Sequence, residues 1–103
     1  MKIEFFYFDD CPNHEKAFAL LQEILRDAAI DATIERIEIK DDEDAVKRKF
    51  VGSPTIRING VDVQQIENDH VFGRTCRTYV VDGAFTRLPS REMIEIALQE
   101  AVS

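Results

Sequence analysis

The sequence predicts a single α/β domain that spans its 103 residues, with a four-stranded mixed sheet flanked by three helices and an extra loop or hairpin before the last helix. Three observations indicate this class. Ile3 to Phe8 is an apolar run of strand character, and a helical apolar pattern follows it from Asn13. An Asn59-Gly60 pair between two alternating segments is typical of a hairpin turn. A chain of this length is long enough for one hydrophobic core but too short for two.

The first strand and the first helix are separated by a short polar turn. Ile3 to Phe8 is rich in aromatic and large apolar residues, as in strands buried on both faces, and Asp9 and Asp10 end it. Pro12 is predicted at the first helical position, with Asp10 or Cys11 as the N-cap. The apolar face of the helix recurs at three- and four-residue steps and consists of Ala17, Phe18, Leu20, Leu21, Ile24, Leu25 and Ala28.

The middle of the chain contains a strand, a short helix and a second strand. Ala32 to Lys40 is predicted to be the second strand of the sheet. The acidic run Asp41 to Asp44 is suited to cap a helix over Asp44 to Phe50, because negative charge favours a helix N-terminus. Gly52-Ser53-Pro54 ends that helix and leads into a third strand, Thr55 to Ile58.

The last third of the chain begins with the strand that returns from the Asn-Gly turn. Val61 to Val63 is predicted to be this return strand, and Gln64 to Arg74, which has no clear period, is either a loop or a short irregular helix. Cys76 to Val81 and Ala84 to Leu88 are predicted to form a second hairpin. In the alternative, Arg77 to Val81 is itself the fourth strand of the main sheet.

The final helix follows Pro89 and Ser90, which provide a stop and an N-cap. Its apolar face consists of Met93, Ile94, Ala97, Leu98 and Ala101. The elements follow one another as strand, helix, strand, helix, strand, strand, helix. This order predicts that the first two strands are parallel and joined by a crossover, and that an antiparallel hairpin follows them. Helices are therefore expected on both faces of the sheet.

Charge and composition exclude several classes of partner. The formal charge is −7, from 13 Lys and Arg against 20 Asp and Glu, which argues against binding nucleic acid or an anionic membrane. No apolar run has the length of a membrane span or signal peptide, so a cytoplasmic protein is expected. Two cysteines with two histidines form neither a secreted disulfide framework nor a structural zinc pattern, and neither a cofactor nor a bound metal is predicted. The cysteines therefore matter as a thiol pair or singly.

Three motifs give the chain a family resemblance. The chain resembles the thioredoxin-like superfamily in three features: the order of its elements, Cys11-Pro12 before the first helix, and Gly52 to Thr55 before the third strand. The Asn59-Gly60 hairpin is similar to that of glutaredoxins. More narrowly, Tyr7 to Asn13, Gly52 to Thr55 and Phe72 to Tyr79 resemble segments of small bacterial thioredoxin-like proteins, some of which are labelled alkylmercury lyase-like.

The resemblance implies a site. Cys11 occupies the position of the nucleophilic thiol, and Pro54 that of a cis-proline facing it, with Ser53 and Thr55 flanking the substrate. The second cysteine of a Cys-x-x-Cys pair is replaced by His14, so the usual resolving thiol is absent. A cis peptide at Pro54 would leave the N–H and C=O of the preceding residue free to pair with an extended thiol substrate; the alternative is an ordinary trans proline before an edge strand.

Cys11 and His14 each have a functional and a plain interpretation. A helix N-terminus and a protonated His14 one turn away would both stabilise a thiolate at Cys11, whereas Asp9 and Asp10 oppose it. Otherwise Cys11 is a small residue in a binding module without chemistry. His14 is a base, a cation that tunes Cys11, a soft-metal ligand, or an exposed residue of the first turn with no role.

Cys76 decides whether the chain has two-thiol chemistry. If the chain returns after Val61 to Val63 toward the end of the sheet that holds Cys11, Cys76 approaches Cys11 and either resolves disulfides or holds a soft metal ion with it. If Arg77 to Val81 is the fourth sheet strand, Cys76 lies at the far end and is structural.

These observations support two functional hypotheses. The first is a thiol-dependent protein for redox exchange or for handling a soft electrophile, with Cys11 as nucleophile, His14 tuning it and Cys76 as second thiol. Its partner would be a thiol or disulfide substrate, either small or a protein. The second is a non-enzymatic module, such as a soft-metal carrier or a protein-binding domain. The identity of the substrate and the oligomeric state stay open.

Overall fold

The structure of the chain is a computed structural model that describes residues 1–64, 73 and 75–102. The strands within these residues are β1 (Ile3–Tyr7), β2 (Ile34–Glu38), β3 (Thr55–Ile58), β4 (Val61–Asp62), β5 (Tyr79–Val81) and β6 (Ala84–Thr86). The helices are α1 (His14–Asp27), α2 (Asp42–Lys47) and α3 (Arg91–Val102). None of the helices in the described part of the chain is long and apolar enough to cross a bilayer.

The main sheet has four strands in the order β2-β1-β3-β4. β1 runs parallel to β2, with Ile3 opposite Ile34, and antiparallel to β3, with Ile3 also opposite Ile58. β4 returns antiparallel to β3 through the Asn59-Gly60 turn. The predicted α/β architecture, a four-stranded mixed sheet with three helices, is confirmed, and it is compatible with a thioredoxin-like fold.

The alternating pleat of β1 divides the core between the two faces of the sheet. Phe5 packs in a cluster with residues of α1, β3 and α3, and Phe6 packs in a second cluster with Ala45 of α2. Since neighbouring strand residues point to opposite faces, α1 and α3 cover one face and α2 covers the other. Cys11 belongs to the second cluster, on the α2 side.

The start of α1 differs from the prediction. The N-cap is Asn13, whose side chain makes no capping hydrogen bond, and the helix begins at His14. The prediction of Pro12 at the first helical position with Asp10 or Cys11 as N-cap is therefore wrong. The physical reason is a turn: the backbone N–H of Cys11 donates to the carbonyl oxygen of Phe8 at 3.1 Å, which delays the helix. Cys11 thus lies in the turn that precedes the helix.

The caps of the other two helices follow the predicted chemistry. Asp41 is the N-cap of α2, and its carboxylate accepts the backbone N–H of Asp44 at 2.7 Å, so the helix begins two residues earlier than predicted. The N-cap prediction for Ser90 is confirmed, because its hydroxyl oxygen accepts the N–H of Met93 at 3.1 Å. The backbone N–H of Lys40 and the guanidinium of Arg48 hold the pKa of the Asp44 carboxyl below its usual value.

The second hairpin is separate from the main sheet. β5 and β6 pair antiparallel with each other as a two-stranded sheet, turning at Asp82-Gly83. The alternative in which Arg77 to Val81 is the fourth strand of the main sheet is wrong, because β4 takes that position. Of the segment Gln64 to Arg74, predicted to be a loop or irregular helix, residues 65–72 and 74 lie outside the described residues.

Candidate functional site

Cys11 lies in the turn after β1 and is almost completely buried, with 2% of its surface exposed. Its thiol contacts the segment before β3, where the sulfur donates to the backbone carbonyl oxygen of Ser53 at 3.5 Å. The turn that delays α1 thus places the sulfur against the peptide that precedes Pro54. A carbonyl oxygen at this position accepts a hydrogen bond from a neutral thiol.

The peptide bond between Ser53 and Pro54 is cis, as the resemblance implied. Ser53, Pro54 and Thr55 are all buried, and the Thr55 hydroxyl donates to the carbonyl oxygen of Gly52 at 2.5 Å. The hydroxyl of Tyr79, which follows Cys76 in the chain, donates to the carbonyl oxygen of Pro54. The three residues expected to flank a substrate are therefore enclosed by the protein itself.

Cys76 lies on a short segment, residues 75–77, that runs alongside Ser53 as an isolated parallel β-bridge. The N–H of Ser53 donates to the carbonyl oxygen of Thr75 at 2.8 Å, and the carbonyl oxygen of Ser53 accepts the N–H of Arg77 at 2.9 Å. We call residues 75–77 the Cys76 segment. Its pairing with Ser53 brings the second cysteine to the place where the first one lies.

The two thiols contact each other. Their side chains lie close enough to interact, and both cysteines are free. Partial desolvation of the Cys76 sulfur and the neighbouring Cys11 thiol raise the pKa of the Cys76 thiol, against a smaller opposing effect of Arg87. Cys76 therefore stays protonated to a higher pH than an isolated thiol. Of the two alternatives for Cys76, the structure has the one in which it approaches Cys11.

The pairing also corrects an expectation about the backbone of Ser53. We predicted that the N–H and C=O before Pro54 would be free to bind an extended thiol substrate. Both groups are instead bonded to the Cys76 segment. The reason is that residues 75–77 of the chain itself pair with Ser53 at the position where a substrate strand was expected.

Arg77 is a site residue that the sequence reasoning missed. Its side chain is only 4% exposed, and its guanidinium donates to the Asp62 carboxylate at 2.8 Å and to the backbone oxygen of Gln64 at 2.9 Å. It also donates to the Thr55 hydroxyl at 3.3 Å and lies 4.3 Å from the centre of the Tyr79 ring. An arginine beside a cysteine in a polar segment gives no sequence signal of burial, because its anionic partner is on a different strand.

Gly52 allows the Cys76 segment to approach so closely. A Cβ atom at this position would lie 2.8 Å from both the Cα and the Cβ of Arg77, which is closer than real Cβ contacts. The φ angle of Gly52 is +139°, a conformation that side-chain-bearing residues rarely adopt. The Gly-Ser-Pro-Thr motif therefore has a second role here, because its glycine makes room for the backbone of Arg77.

His14 is buried, which contradicts the interpretation of an exposed first-turn residue. Its surface is 8% exposed, and its ring stacks on Tyr7 with 4.7 Å between ring centres. The buried Nδ1 atom has no hydrogen-bond partner among the residues that the structure describes, and neither does the hydroxyl of Ser53. In the described part of the chain, His14 therefore packs on an aromatic ring, whereas the Cys11 sulfur bonds the Ser53 carbonyl oxygen and lies beside Cys76.

The arrangement suits two kinds of chemistry. Two adjacent thiols can be oxidised to a disulfide, and two thiolates can hold a soft metal ion. Within residues 1–64, 73 and 75–102, no group of three or more His, Cys, Asp or Glu side chains is placed to hold a metal. At this site the thiol ligands among the described residues are Cys11 and Cys76.

The pH dependence of Cys76 alkylation provides a direct check on this contact. In the wild type, the midpoint of iodoacetamide modification at Cys76, followed by mass spectrometry of the peptide, is expected above the ordinary thiol value of 9.0. In Cys11→Ala the midpoint should move down, because the neighbouring sulfur that raises the pKa is gone, while the effect of desolvation stays. An unchanged midpoint would show that the two sulfurs do not interact.

Comparison with known proteins gives one family match. A family model described as "Domain of unknown function (DUF2703)" matches residues 13–98, which include His14, Ser53, Pro54 and Cys76. Cys11 precedes the matched residues. No curated protein and no solved structure gives a significant match. Because the family model covers most of its length, the chain belongs to the DUF2703 family.

Proposed function

We propose that this chain is a thioredoxin-like thiol–disulfide redox protein in which Cys11 and Cys76 act as a pair. The observation that carries the proposal is that two free thiols meet at Ser53, next to the cis Ser53–Pro54 peptide: Cys11 bonds the Ser53 carbonyl oxygen, and Cys76 pairs with Ser53 in a β-bridge. The order of the sheet strands supports a thioredoxin-like fold, and His14 in place of a second nearby cysteine explains why the partner thiol comes from elsewhere in the chain.

The reaction proceeds in two exchange steps. The Cys11 thiolate attacks a substrate disulfide, forming a mixed disulfide and releasing one substrate thiol. The Cys76 sulfur then attacks the sulfur of Cys11, which releases the second substrate thiol and leaves a Cys11–Cys76 disulfide. The two protons of the protein thiols end on the two released thiols, so one substrate disulfide is reduced and two cysteines are oxidised. An external low-molecular-weight thiol or dithiol would reduce the protein again.

The contacts at the two sulfurs favour this order. Desolvation of the Cys76 sulfur and the neighbouring Cys11 raise the pKa of the Cys76 thiol, which makes it a weak nucleophile at neutral pH. The raised pKa of Cys76 keeps its own sulfur neutral while Cys11 attacks. Once Cys11 is in a mixed disulfide, it no longer carries the charge that raises the pKa of Cys76, and the second thiol is easier to ionise. Cys11 is therefore the nucleophile of the proposal and Cys76 the resolving thiol.

The proposal has consequences for location and substrate. Two free thiols suit a reducing compartment such as the cytoplasm. The substrate is a disulfide or another thiol-reactive compound. A second candidate function, a carrier of a soft metal ion held by two thiolates, is favoured by the same adjacency of Cys11 and Cys76.

Controlled oxidation tests the redox proposal. Reduced protein, freed of metal, is treated with a slight excess of a small disulfide, and free thiols and intact mass are measured. We expect both thiols to disappear with the loss of two hydrogen atoms and no added group, which defines an intramolecular disulfide. If two thiols persist, or if each cysteine carries an adduct, the redox proposal is wrong. Uptake of one equivalent of Cu(I) or Hg(II) by protein that will not form the disulfide would identify the carrier.

A further inference from the structure

We propose that the thiol pair reacts with low-molecular-weight disulfides and is closed to extended polypeptide substrates, because the chain's own Cys76 segment occupies the backbone groups on which such a polypeptide would pair. This inference rests on the proposed redox function and names its substrate class. The Cys76 segment, residues 75–77, takes both the position and the hydrogen bonds of an added strand.

The backbone of Ser53 is already paired within the chain. An extended peptide that binds next to a strand gains affinity from main-chain hydrogen bonds to free N–H and C=O groups. At Ser53 both groups are bonded within the chain, to Thr75 at 2.8 Å and to Arg77 at 2.9 Å. The residue between these two is Cys76, and the Cys11 thiol bonds the same Ser53 carbonyl oxygen at 3.5 Å. The segment thus presents a cysteine to Cys11 as a bound substrate peptide would.

Arg77 holds the Cys76 segment firmly in its place. The Arg77 side chain is buried and bonded to Asp62, Thr55 and Gln64. The close approach of its backbone to Gly52 leaves no room even for a Cβ atom. Displacing the segment would therefore unpair a buried guanidinium as well as two backbone hydrogen bonds, and a competing peptide would recover only the latter.

The two sulfurs differ in their access to small molecules. Cys76 is exposed, whereas Cys11 is buried beside it. For a small disulfide the inference requires side-chain movement at the thiols but no displacement of the backbone, and movements of exposed side chains such as Cys76 are fast. A polypeptide that pairs with Ser53 requires the backbone of the segment to leave. Small disulfides therefore require only side-chain motion, whereas extended polypeptides require displacement of the Cys76 segment.

A matched pair of substrates tests this inference. One is the mixed disulfide of mercaptoethanol with N-acetylcysteine amide, and the other carries the same disulfide on a cysteine in the middle of a short unstructured peptide. The wild-type protein is expected to be oxidised by the peptide no faster than by the small compound. An open pairing site would favour the peptide by about tenfold, from two backbone hydrogen bonds. A peptide advantage of that size in the wild type would overturn the inference.

Two variants open the pairing site by different means. Gly52→Ala introduces a Cβ atom that cannot coexist with Arg77 in its present place, and Arg77→Ala removes the anchoring side chain. Either variant should increase the peptide rate relative to the small-compound rate, up to about tenfold. Gly60→Ala is the matched control, because Gly60 also has a positive φ, +82°, but has no atoms within 4 Å of its added Cβ.

The outcomes separate this inference from the proposed function. If neither disulfide oxidises the wild type, the redox function fails. If the small compound oxidises it and the peptide is about tenfold faster still, the function stands and the substrate class is wrong. If one variant does not fold, the wild-type ratio and the other variant still decide. Hydrogen exchange at the Ser53 amide shows whether the pairing site is open in a folded variant. If it is open and the ratio of the peptide rate to the small-compound rate stays at the wild-type value, the inference is also overturned.

Discussion

Cys11→Ser and Cys76→Ser are each expected to lower the rate of reduction of a small disulfide by at least about 100-fold, measured with an external thiol as reductant. Both thiols of the wild type are free and lie next to each other, so the second exchange step of the proposed reaction is intramolecular. Removing either sulfur replaces that step by a collision with an external thiol. A factor of about 100 corresponds to about 2.7 kcal/mol of activation free energy.

The two variants should differ in what accumulates. Cys76→Ser is expected to stop at a mixed disulfide on Cys11, visible as an adduct in the intact mass, because no second thiol resolves it. In Cys11→Ser the adduct should instead form on the exposed Cys76, where desolvation still raises the pKa of the thiol although the Cys11 sulfur is gone. Cys76→Ser that turns over at the wild-type rate would contradict the pairing of the two cysteines.

A double variant and a surface variant complete this experiment. Groups that act as a unit lose their joint effect when either is removed, so Cys11→Ser with Cys76→Ser should be no slower than the slower single variant. Phe85→Ser is the control, because this residue of β6 is 79% exposed and lies outside the thiol site. It is expected to keep the wild-type rate.

The local patterns of the sequence predict the elements better than they predict the site. The third strand, Thr55–Ile58, has the predicted bounds, and its hairpin to β4 follows from the Asn59-Gly60 pair. The start of α1 is wrong by two residues because the backbone bond from Cys11 to Phe8 competes with the helix. Such a turn depends on tertiary packing of the sulfur, which helix propensity and capping rules do not include.

The sequence leaves two alternatives for Cys76, one in which it approaches Cys11 and one in which it lies at the far end of the sheet. Only the fold decides between them. Which alternative holds depends on the bridge between Ser53 and Cys76, a contact between segments distant in the chain. Parallel pairing of a single residue leaves no periodicity in the sequence. The burial of Arg77 is equally hidden, since arginine is almost never buried without a partner and its partner, Asp62, lies 15 residues earlier in the chain.

Arg77→Met is expected to lower the free energy of unfolding by about 3 kcal/mol, the largest stability effect that we predict. The substitution leaves the Asp62 carboxylate, itself only 10% exposed, without its cation, and removes the donors to Gln64 and Thr55. Removing one partner of a buried ion pair costs more than the pair contributes, because the remaining charge stays desolvated. Urea denaturation of the reduced protein measures the effect.

Arg91→Met is the matched control for this loss. Arg91 also pairs with carboxylates, at 2.7 Å to Asp27 and 3.7 Å to Glu23, but these side chains are exposed. Exposed ion pairs contribute at most about 1 kcal/mol, so this variant should lose far less stability. If Arg77→Met loses no more than Arg91→Met, the guanidinium is not the anchor of the Cys76 segment.

The same variant connects stability with chemistry at the thiols. Arg77 follows Cys76 directly, and its side chain fixes the backbone that holds Cys76 opposite Cys11. Losing this anchor should lower the effective concentration of the Cys76 sulfur at Cys11 and make the Cys11–Cys76 disulfide easier to reduce, measured by equilibration with glutathione. Arg91→Met should leave that equilibrium unchanged. Arg77→Met that is destabilised but keeps the wild-type equilibrium would mean that the disulfide itself, rather than the arginine, positions the segment.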